Sequence, residues 1–110
     1  MDVATNIEVN MTVYEDGVWS ASWAWKYSED EPSIIEYEDL LIEDAQGLFY
    51  ARAKGSKHSA NTGETCLGNS QGSGKMRPGD NMWHVIIYSE NNEILGDRKG
   101  NFFAMIPIEQ

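Results

Sequence analysis

The sequence predicts an all-β fold, a single antiparallel β-sandwich of the jelly-roll or immunoglobulin-like kind spanning residues 1–110, and three observations predict it. Apolar residues recur at period two in short stretches, turn signals rich in Gly, Asn and Asp separate those stretches, and no segment carries a helical period of convincing length. A chain of 110 residues, 41% hydrophobic, is one domain's worth of core. No apolar run approaches the ~20 residues of a membrane-spanning helix, so a soluble globular protein is expected.

Taken in order, Thr5 to Val13 alternates, with Thr5, Ile7, Val9, Met11 and Val13 on one face and Asn6, Glu8, Asn10 and Thr12 on the other. Asp16-Gly17 then signals a hairpin, because glycine accepts positive φ cheaply. Trp19 to Tyr27 is the organising strand: Trp19, Trp23, Trp25 and Tyr27 face one way, Ser20, Ser22, Ala24 and Lys26 the other. Pairing with the first strand would turn the aromatic face toward the core, although a ligand could cover it instead. Ser28 to Ser33 reads as a loop broken by Pro32, and Ile34 to Ile42 as a strand, with Leu40-Leu41-Ile42 also open to one helical turn. After a turn at Glu43 to Gly47, Leu48 to Lys54 reads as the next strand. Gly55 to Asn81 has no apolar period and many glycines, which predicts one long loop, with at most a short segment at Cys66-Leu67. Met82 to Ser89 is apolar on both faces and should be central. Ile94-Leu95 makes a short rung, Gly96 to Gly100 a turn, and Asn101 to Ile108 a last strand.

The net charge of −10 is unevenly spread: residues 1–50 hold twelve carboxylates against Lys26 alone, whereas residues 51–110 hold six against seven bases. This disfavours nucleic-acid binding, since phosphate neutralisation needs a basic surface. Gly68 to Lys75 departs from a phosphate-binding loop, with five residues between its outer glycines where the motif has four, and Met76 where it needs Ser or Thr. His58, Cys66 and His84 lack metal-ligand spacing, and nothing near Cys66 signals a depressed thiol pKa. No enzyme, metal or cofactor is therefore expected. The absence of a basic-then-apolar leader makes the cytoplasm the default compartment, and a single cysteine fits a reducing one; a mature secreted chain would read the same.

Val85 to Glu90 followed by Gly96-Asp97-Arg98-Lys99-Gly100-Asn101-Phe102 resembles the final hairpin of the small bacterial galactose-binding calcium lectins and related jelly-roll sugar-binding domains. The likeness covers about a quarter of the chain. It implies a calcium-dependent sugar site at this hairpin, with Asp97 as an oxygen ligand. Ser89-Glu90 stands where the family has Asn-Asp, and Arg98 stands where a ligand is needed and would repel the cation.

The expected function is a non-catalytic binding module for carbohydrate, with Trp25, Tyr27, Lys75, Asp97 and Arg98 as ligand contacts, rings stacking on sugar faces while polar loops fix hydroxyls. The alternative is an acidic inhibitor or immunity-type protein, docking on a basic partner through Glu29, Asp30, Glu31, Glu36, Glu38 and Asp39. A third reading is self-assembly, the acidic segment of one copy meeting residues Arg52 to Arg77 of the next.

Overall fold

The computed structural model describes residues 3–72 and 74–107 and has eight strands: β1 (Ala4–Val13), β2 (Trp19–Tyr27), β3 (Ser33–Asp44), β4 (Phe49–Gly55), β5 (His58–Ala60), β6 (Thr65–Gln71), β7 (Gly79–Ser89) and β8 (Ile94–Ala104). They form two antiparallel sheets, one ordered β1-β2-β6, the other β4-β3-β7-β8 with β5 also paired to β3. This is the antiparallel sandwich that the alternation predicts. No helix long and apolar enough to cross a membrane occurs among the described residues.

The core lies between the sheets. From β2 come Trp19, Trp23, Trp25 and Tyr27; they meet Ile35, Leu40 and Ile42 of β3 and Trp83, Val85 and Ile87 of β7, all buried. Bulky rings on one sheet demand small residues around them. Ala51 and Ala53 of β4 supply that space, as does Gly68 of β6, where a Cβ would lie 2.3 Å from the Trp23 ring.

Two sequence expectations are corrected here. Residues 55–81 are not one long loop: β5 and β6 lie within them, and β7 begins at Gly79. The inner face of β6 is Cys66, Gly68 and Ser70, too small to show an apolar period, because the tryptophans opposite fill the room. Gly96 to Gly100 is likewise no turn, since β8 runs unbroken through it. Its glycines permit close approach: a Cβ at Gly96 would lie 2.4 Å from the Ala4 carbonyl oxygen, and one at Gly100 2.3 Å from the Trp83 ring. The last strand ends at Ala104, and Ile108 lies outside the described residues.

Candidate functional site

Two features stand out from the residues upward: a carboxylate inside the core, and an uncharged hollow on the outside of the three-stranded sheet.

Strand alternation sends Glu38 inward with Leu40 and Ile42, and Asp39 outward. Glu38 is 1% exposed. The Trp23 indole N–H donates to its Oε2 at 2.6 Å and the Trp25 indole N–H to its Oε1 at 2.8 Å. His58 Nε2 stands 2.9 Å from the same Oε1, and its Nδ1 3.0 Å from the Ser59 carbonyl oxygen. With two oxygens facing its two nitrogens, the ring is placed where the doubly protonated form can donate to both. Burial opposes that charge, but the hydrogen bonds to Glu38 and Ser59 outweigh it, and the His58 pKa is raised above its ordinary 6.5. A raised folded-state pKa contributes stability that is full below the unfolded value and is lost as pH rises through the folded one. The urea midpoint should therefore fall as pH rises above about 6.5 in the native chain, and this part of the fall should vanish in His58→Gln. Equal falls in both proteins would show that the pair carries none of it.

Cys66 lies on the inner face of β6, beside this network. Burial, then the charges of Glu64 and Glu38, push its thiol up to about 11, which leaves it protonated at neutral pH.

The outer face of the three-stranded sheet is built differently. Register places Thr12, Ser20 and Gln71 in one row across β1, β2 and β6, and Asn10, Ser22 and Asn69 in the next. None of the six side chains makes a hydrogen bond among the described residues, and none is charged. They line a hollow of about 480 Å³. The hollow exists because these side chains are short, whereas Glu8, Lys26 and Leu67 stand further along the same face.

The expected ligand contacts do not come together. Trp25 and Tyr27 are each 1% exposed, which corrects the expectation that their rings stack on a sugar: β2 turns its aromatic face into the sandwich. The Tyr27 hydroxyl donates to the Glu31 carbonyl. Lys75 is exposed in the β6–β7 connection, where a Cβ on Gly17 would lie against it. Asp97 and Arg98 are successive strand residues that point to opposite faces of β8. Asp97 pairs with His84 Nε2 at 2.8 Å, and Arg98 Nη1 donates to the Ile7 carbonyl at 2.7 Å. Among the described residues no group of three or more His, Cys, Asp or Glu is placed to hold a metal ion.

Of the expected acidic docking residues, Glu38 and Asp39 are corrected. Glu29, Asp30 and Glu31 are exposed, and Glu36 lies 3.6 Å from Lys57. Glu38 is in the core, however, and Asp39 is 4% exposed, clamped by Arg52 at 2.7 and 2.8 Å. Sequence reading missed both features of the site. The polar face of β2 was legible, but its rows need β6, and the only signal for β6 is a small-large alternation from Thr65 to Gln71.

No protein family and no curated protein matches the chain. Among solved structures, a Bacteroides uniformis β-glucuronidase superposes with a TM-score of 0.71 at 12% identity, over 89% of this chain and 13% of that one. A structural-genomics target, SoR45, superposes at 0.60 with 16% identity, over 100% of this chain and 95% of that one. A Pseudomonas fluorescens alkylpurine DNA glycosylase bound to DNA containing an abasic site analog gives 0.54 and 19%, over 91% and 31%. At these identities the likeness is one of fold. The chain spans about an eighth of the length of the glucuronidase.

Proposed function

We propose that the protein is a non-catalytic binding module that takes neutral carbohydrate on the outer face of its three-stranded sheet. The observation that carries the reading is the pair of uncharged rows, Thr12-Ser20-Gln71 and Asn10-Ser22-Asn69, whose side chains make no hydrogen bond among the described residues, in a molecule of net charge −10. Amides and hydroxyls both donate and accept, as sugar hydroxyls do, and a face without charge favours no ion. The fold likeness to part of a β-glucuronidase, whose name is that of a carbohydrate-active enzyme, agrees with this reading. With no ring on the face, affinity rests on hydrogen bonds of about 1 kcal/mol each, so a single site should bind in roughly the millimolar range.

Ligand-observed NMR against a panel of neutral oligosaccharides tests this. At least one should bind, Asn69→Ala should weaken it about fivefold, and added salt should leave it unchanged. Binding to none of the panel, or binding indifferent to Asn69→Ala, would overturn the reading. A basic protein partner is the second reading, supported by Glu29, Asp30 and Glu31, which are exposed together in one loop and make no ion pair among the described residues. It requires a complex that weakens with salt.

A further inference from the structure

We infer that β6 is a docking edge for a second copy of this chain, paired antiparallel about Gly68. An edge strand offers a row of unpaired amides and carbonyls, and proteins blunt such edges with charge, proline, bulges, brevity or a cover. The other edges here are blunted. β1 has Glu8 and a bulge at Asn6, whose φ is 53°, and is covered by β8 where Val3 N–H donates to the Leu95 carbonyl at 2.9 Å and Arg98 to Ile7. Arg52, Lys54 and a register shift interrupt β4, β5 has three residues, and β8 carries Asp97, Arg98 and Lys99.

By contrast, β6 has no charge, no proline and no register shift along its seven pairs with β2. Among the described residues its other side makes no backbone hydrogen bond. Leu67 is 75% exposed there, and a cleft of about 230 Å³ separates Gly68 from the Gly55–His58 segment.

The strand is complementary to itself. Directly opposed residues in an antiparallel pair share a face, so the odd-numbered outer residues of β6 must meet odd-numbered ones. A two-fold axis through Gly68 does this, placing Thr65 opposite Gln71, Leu67 opposite Asn69 and Cys66 opposite Ser70. No like charges meet, and the central pair is glycine on glycine. Two molecules of net charge −10 repel, so a neutral segment is where they can touch. The product is a continuous six-stranded sheet with an isologous interface and two neutral hollows side by side on one outer face.

Sedimentation equilibrium over a wide concentration range, at low and high salt, tests the pairing. A monomer–dimer equilibrium that tightens as salt screens the net repulsion is expected. Leu67→Lys, at a side chain already in solvent, should weaken the dimer at least tenfold. In the native chain alone, amide exchange along β6 should slow as concentration rises. A monomer under all conditions, a dimer unmoved by Leu67→Lys, or one that salt dissociates would overturn the inference; the last outcome would assign association to acidic and basic segments instead.

Discussion

Glu38→Gln is expected to destabilise the fold by about 3 kcal/mol, read as a lower urea midpoint at unchanged slope. The carboxylate accepts from two indole N–H groups and the His58 ring, with a side chain 1% exposed. A glutamine has one acceptor oxygen and must turn its NH₂ toward a donor, which leaves a buried N–H unpaired. Each such group costs about 1–3 kcal/mol, and the imidazolium loses its counter-charge as well. For a domain of this size the loss corresponds to a melting temperature lower by roughly 15 °C. A change within about 0.5 kcal/mol would mean that the network contributes nothing net, as surface ion pairs often do.

Gly68→Ala should be comparably damaging, by about 3 kcal/mol, although it adds one methyl group. Its Cβ would lie 2.3 Å from the Trp23 ring and 2.6 Å from Glu38 Oε2, both closer than atoms pack. Trp23 is 2% exposed and tied by its indole to Glu38, so it cannot swing aside. Either β6 moves off the sheet or the indole–carboxylate bond breaks. Gly74→Ala is the matched control, since nothing among the described residues lies within 4 Å of its Cβ position, and should stay within about 0.5 kcal/mol. Equal stability of the two variants, measured by urea unfolding, would contradict the close packing of β6 on Trp23.

Much of the fold was legible because alternation records a strand with two environments. Trp19 to Tyr27 alternates over nine residues, and its large face is buried throughout. What was not legible shares one cause. Glycine in sequence reads as a turn, but Gly68, Gly96 and Gly100 are strand residues that let an indole or a backbone approach. Their strands, β6 and the middle of β8, were therefore read as loop and turn. Glu38 was hidden for another reason: in a run of acids nothing but its parity with Leu40 and Ile42 separates a core carboxylate from solvated ones. The candidate site fell between these two failures. Its middle row members, Ser20 and Ser22, were visible as the polar face of β2, while Asn69 and Gln71 belonged to a strand that composition concealed.

Ligand is expected to meet the uncharged face of β1, β2 and β6, and not the tryptophans. The most direct measurement is a ¹⁵N–¹H NMR titration with the neutral oligosaccharide that binds best. Shifts concentrated at Asn10, Ser22 and Asn69, with the Trp23 and Trp25 indole N–H signals unmoved, are the predicted result. Shifts confined to Glu29 to Glu31 or to Asp97 and Arg98 of β8, displaced indole signals, or no shifts at all would contradict it.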